Sequence, residues 1–184
     1  MNHISRLLAV LLLPALLLLP RIDAIFSATM PRKALVETFL LLLCGAAASR
    51  LYPHRRMASH APAAVVAATL LLLFWMIPRS IDLTQILPSA NALYVASLFA
   101  AGFLLSHYLP LLPKVASVAY ALYFWSMIVA FGLLYASQST LLCSAYTLED
   151  QHAFGWMLVL LGLVAYLFVL ASMTRWLVPA SKSR

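Results

Sequence analysis

Charge is what this sequence has least of. Of its 184 residues only 9% are Asp, Glu, Lys or Arg, and 65% are hydrophobic, whereas a soluble domain carries roughly 25% charged residues. So little polar surface cannot cover a globule in water, and a soluble enzyme or binding domain is excluded. Two cysteines make no disulfide framework. Cys44 lies within an apolar run and Cys143 in or near a loop, so they are expected at different membrane depths, too far apart to bridge. The chain has no glycine-rich phosphate loop, no CxxC, no HExxH and no convincing Ser–His–Asp arrangement. It also lacks the internal repeat and the paired broken helices of a transporter. The net charge of +7 does not indicate nucleic-acid binding. The basic residues stand singly or in pairs between apolar runs, a pattern of membrane orientation rather than phosphate tracking.

What is present is a series of long apolar runs. Six can be read, at about 6–28, 34–51, 62–79, 90–110, 114–136 and 153–174, and a span needs about 17–25 apolar residues. The expected fold is therefore all-α: one integral membrane domain over 1–184, a bundle of six transmembrane helices with short loops. The first run, "MNHISRLLAVLLLPALLLLP", has the basic start and apolar core of a signal peptide. No clean small-residue cleavage site follows, and it is expected to remain as a first span. Pro53, Pro62, Pro78, Pro88, Pro110 and Pro113 all fall near segment ends. "RSIDLTQILPS" is expected to be a loop, and "YASQSTLLCSAYTLEDQH" the longest connection.

With the N-terminus inside, the inner side receives Arg6, Arg50, Arg55, Arg56, Lys114, Arg175, Lys182 and Arg184. The outer side receives Arg21, Arg32, Lys33 and Arg79, so the count is eight against four. The basic excess favours the cytoplasmic side, hence N-in and C-in, in a bacterial inner membrane. "EDQH", Glu149 to His152, then lies on the outer face at the start of the sixth helix.

That cluster has two readings. Helix N-termini leave orphan N–H groups and a partial positive charge, and Asp150 is expected as the N-cap, helped by Glu149 and Gln151. Alternatively, Cys143 and His152 are ligands of a type that suits copper, although nine residues apart they match no recognised metal spacing. Glu37 and Lys33 are read either as an ordinary i,i+4 pair or as a functional intramembrane acid. His54, Met57 and His60 share one loop, with His107 at the same end. They are either a metal site or ordinary interfacial residues. Arg79 and Asp82 are spaced to pair. Tyr120, Tyr123, Phe124, Trp125 and Phe131 form either a packed aromatic face or the lining of a haem or quinone pocket. Small residues at 44–49, and Gly102, Gly155 and Gly162, suit close helix packing. They either hold the bundle together or seat a partner helix, with Gly102 and Gly155 the candidates for partner docking.

Two stretches carry a family likeness. "FWMIPRSIDLTQILPSANALYVASLFAAGFLLSHYLP" and "LYASQSTLLCSAYTLEDQHAFGWMLVLLGLVAYL" resemble segments of the multi-span CtaG family of cytochrome c oxidase assembly factors. The matching positions include Thr147 to Gln151 and Gly155, and the likeness covers about residues 70–175. It implies a helical membrane protein that helps mature or accompany a haem–copper oxidase. The family's early His–Met pairs are missing here, where the chain reads "ALVETFLLLLC", and Thr147 stands where the family's closing element has Pro. The resemblance thus implies the scaffold without its metal chemistry. The expected function is a non-catalytic accessory protein, either assembly factor or small subunit. A membrane redox protein binding haem or quinone, or a small transporter, are the alternatives.

Overall fold

The computed structural model describes residues 11–51 and 58–177, which form helices and turns with no strand among them. A helical stretch at 11–17 is followed by α1 (Pro20–Ser27) and a π-helical turn (Arg32–Glu37) that runs directly into α2 (Thr38–Leu51). After a 3₁₀ turn (Ala58–His60) come α3 (Ala61–Met76), α4 (Pro78–Ile86), α5 (Pro88–Tyr108), α6 (Lys114–Ser137) and α7 (Leu148–Leu177).

Four helices are long and apolar enough to cross a membrane: Arg32–Leu51, Pro88–Leu111, Lys114–Ser137 and Leu148–Met173. The α3–α4 pair, bent by 74°, makes a fifth if it is counted as one span. The spans expected at 34–51, 90–110, 114–136 and 153–174 agree with those four. The other two depart from expectation, each at a proline. The residue before a proline is pushed out of the helical region. Leu19 before Pro20 sits at ψ 130°, Ile77 before Pro78 at ψ 127° and Leu87 before Pro88 at ψ 114°. The described part of the run at 6–28 therefore breaks ahead of α1. The span at 62–79 stops at Met76, and "RSIDLTQ" is helical rather than a loop.

The helices alternate in direction, so two ends can be distinguished. One, the capped end, gathers α1, α4, the start of the π-turn and the connection 138–147. The other holds the end of α2, the α3 start and the α5–α6 turn. Tyr94, Leu98, Leu41, Ala68 and Leu72 bury themselves where α2, α3 and α5 meet. Met30, Ile81, Tyr135, Cys143 and Phe154 form a second core under the cap.

At Gly102 and Gly155 the structure departs from partner docking and takes the bundle-holding role. Each is spent inside the chain rather than on a partner. A Cβ on Gly102 would meet the Leu42 backbone, with Cα at 2.7 Å. One on Gly155 would meet Ala136 N at 2.5 Å and Gly132 O at 2.7 Å. In lipid, where tails are as apolar as side chains, such close backbone approach is a main source of helix association. The glycines thus join α2 to α5 and α6 to α7.

Candidate functional site at the capped end

Polar side chains are scarce in this chain, and the structure collects many of them at one end. The first cluster is built on the π-turn, a widened turn of a kind frequent at functional sites. It turns Lys33 and Glu37 inward, 1% and 0% exposed. The Lys33 ammonium lies 2.7 Å from Asp23 Oδ1 on α1, 2.8 Å from Asn91 Oδ1 on α5 and 3.0 Å from Glu37 Oε2. The Tyr94 ring centroid is 5.1 Å away, within cation–π range. Tyr94 donates its hydroxyl hydrogen to the Lys33 carbonyl at 2.7 Å, and its oxygen lies 2.8 Å from Thr38 Oγ1. Two carboxylates, an amide oxygen and an aromatic face are the surroundings of a cation site, and here the cation is a tethered ammonium. The i,i+4 pair of Lys33 and Glu37 is the hub of a buried network. Glu37 Oε1 accepts no hydrogen bond among the described residues.

The second cluster fastens the connection 138–147 over α4. Asp82 was spaced to pair with Arg79, but it turns to the connection instead. One carboxylate oxygen accepts from the Ser144 backbone at 2.8 Å and the Ser144 hydroxyl at 3.0 Å, and the other accepts from Ala145 N at 3.1 Å. Gln85 donates to the Tyr146 hydroxyl at 3.0 Å and the Ser27 hydroxyl at 3.1 Å, tying α4 to both neighbours. Gln151 is fully buried. Its amide oxygen accepts from Leu142 N at 2.8 Å, and its nitrogen donates to Thr140 O at 3.4 Å.

The helix cap is one residue type and three positions away from where it was expected. Asp150 is not the N-cap of α7; Thr147 is. The Thr147 carbonyl accepts the first helical bond from Gln151 N at 3.1 Å, and its hydroxyl oxygen accepts from Asp150 N at 3.1 Å. The same hydroxyl donates to Asp150 Oδ2 at 2.9 Å. Asp150 thus serves in the first turn, where a negative charge complements the helix dipole. Thr147→Ala should cost about 0.5–2 kcal/mol, and Asp150→Ala less. Thermal unfolding in detergent checks the order.

Cys143 and His152 are each engaged with a backbone carbonyl of the same chain. The Cys143 thiol is buried and donates to Pro78 O at 3.5 Å. Burial, then the Asp82 carboxylate, pushes it up to about 12, so in the metal-free chain it is a neutral thiol. His152 Nε2 lies 2.8 Å from the Gln138 carbonyl. A carbonyl only accepts, so that nitrogen carries a hydrogen and is occupied. Cys143 should resist alkylation at pH 8 in the folded protein and react fully after denaturation, which mass spectrometry of iodoacetamide adducts would show. Among the described residues no three His, Cys, Asp or Glu side chains converge. His54 and Met57 lie outside the described residues. His60 is exposed, and His107 is buried with Phe103 stacked at 5.7 Å.

The aromatic residues of α6 pack across the bundle. Tyr120 OH lies 2.8 Å from Thr69 Oγ1, while Phe124 and Trp125 line an apolar cavity of about 350 Å3 between α2, α3, α6 and α7.

No protein-family model, curated protein or solved structure matches this chain.

Proposed function

We propose that this chain is an integral membrane accessory protein, an assembly factor or small structural subunit of a haem–copper oxidase or a similar metal-dependent membrane complex. It binds its partner through helix faces and performs no chemistry of its own. The observation that supports this is how the polar groups are used. Lys33, Asp23, Asp82, Gln85, Gln151 and Thr147 all bond other parts of the same chain, so the network holds helices in place. The outer face of α7 meanwhile stays uncovered by the other described residues, with Leu160 at 64%, Val164 at 67% and Phe168 at 75% exposure. The CtaG-like stretches point to the kind of partner, and copper or haem enters this reading with that partner.

In the same reading the chain crosses a bacterial inner membrane six times. The run at 6–28 supplies the first crossing and the bent α3–α4 pair the third. Both ends of the chain lie in the cytoplasm, and the capped end faces outward. The eight-to-four excess of basic residues supports this orientation.

Tagged protein extracted in mild detergent tests the proposal. It should co-purify with membrane subunits bearing a copper or haem spectrum. Purification as a lone protein with turnover of its own would reject it. A haem or quinone retained by the isolated chain would favour the redox alternative, for which Phe124 and Trp125 are the supporting feature.

A further inference from the structure

The cavity between the two parts of the bundle has a shape and setting that point to a ligand. Its volume of about 350 Å3 lies at the small end of ligand sites, which run about 300–1,000 Å3. Its walls are carbon: Phe39, Leu72, Met76, Phe124, Trp125 and Leu158 contribute. The one lining hydroxyl, Thr38, is engaged with Tyr94. A quinone's carbonyls or any polar headgroup would find no donor inside. An apolar chain would find only carbon around it in this half-open groove.

The mouth is different. Arg32 is exposed and stands one turn before Leu35 and Val36, which line the cavity. Val36 and Phe39 continue its outward-facing stripe at 43% and 57% exposure. Arg79 is also exposed and follows the lining residue Met76 by three positions, just past the bend. Neither arginine forms an ion pair among the described residues, where both ion pairs use Lys33. Two exposed arginines therefore stand within four residues, along the chain, of residues that line the cavity. Arginine is suited to phosphate because its planar fork makes paired hydrogen bonds.

We propose that this cavity holds one acyl chain of an anionic phospholipid, with the lipid phosphate held by Arg32 and Arg79. The lipid fills the seam between α2–α3 and α6–α7 and makes the two parts one surface. This does not depend on the identity of any protein partner.

Delipidated full-length protein, titrated with phosphatidylglycerol or phosphatidylcholine of matched chains, provides the test, with bound lipid counted by native mass spectrometry. One phosphatidylglycerol should be retained, about tenfold or more tighter than phosphatidylcholine, since each basic residue near the surface contributes roughly fivefold. Arg32→Gln and Arg79→Gln should each weaken phosphatidylglycerol about fivefold and leave phosphatidylcholine unchanged. Val36→Trp fills the mouth from an exposed position that the fold tolerates, and it should abolish retention of both lipids. Ile128→Phe, deeper in the cavity, should do the same. Sodium phosphate at millimolar concentration should displace nothing. Equal affinity for the two lipids, unchanged preference in the double arginine variant, full retention in folded Val36→Trp, or displacement by phosphate alone would each overturn the assignment.

Discussion

Lys33→Met should destabilise the folded chain by about 3–5 kcal/mol, the cost of breaking a buried ion pair by removing one partner. The reason is what the substitution leaves behind. Glu37 is fully buried and its nearest opposite charge is the Lys33 ammonium at 3.0 Å. Asp23, with a side chain 26% exposed, keeps some water, so most of the loss comes from Glu37. Asn91 Oδ1 also loses its donor. Methionine keeps the bulk of the stem, so packing against Tyr94 survives and the effect reports the charge. Adding Glu37→Leu to Lys33→Met should recover much of the loss, because the uncompensated charge goes with it. Thermal unfolding in one detergent, with the two single variants and the double variant side by side, measures both effects. If Lys33→Met is as stable as the parent, the network is not a structural tie.

The glycine seams should be comparably unforgiving. Gly102→Val places a side chain against the backbone of Leu42, whose Cα is 2.7 Å and C 2.8 Å from the Cβ position. Gly155→Val meets Ala136 N at 2.5 Å and Gly132 O at 2.7 Å. Overpacking costs about 1–3 kcal/mol when side chains can adjust, and occasionally more. Backbone cannot adjust without separating the helices, so each variant should lie at or beyond the top of that range and yield little monodisperse protein. Gly162→Ala is the control, since its nearest obstacle at 2.7 Å is a Val129 methyl and the backbone stands 3.2 Å off. It should retain most of the folded yield. Size-exclusion profiles of the three variants against the parent decide the order.

Much of this fold is legible in the apolar runs themselves. Four spans announce themselves because about 20 apolar residues in a row have one physical use. What cannot be read there depends on partners far away in the chain. The Lys33–Glu37 spacing marks a pair, but its burial comes from Asn91 and Tyr94, about sixty residues on. "RSIDLTQ" looks like a loop because it is polar. It is a helix because Pro78 can open one, and it is buried because Asp82 and Gln85 hold 138–147 above it. Thr147 and Asp150 are both good capping residues, so composition leaves the start of α7 open by three positions. Small residues reveal which helix face packs closely, but not whether the facing helix belongs to this chain. That is why the sequence alone leaves Gly102 and Gly155 open between the bundle and a partner.

In the proposed function the charged cluster at the capped end ties helices together, while contact with other proteins belongs to the lipid-facing helices. The variant Asp23→Leu, Lys33→Met, Glu37→Leu tests it most directly. Replacing a buried ion cluster by apolar residues of similar volume is often neutral or stabilising. The triple variant should therefore fold, unfold at a temperature close to the parent's, and bring down the same membrane subunits in a mild-detergent pull-down. A variant that folds as well as the parent but loses those subunits would contradict the account and make the cluster itself the working site.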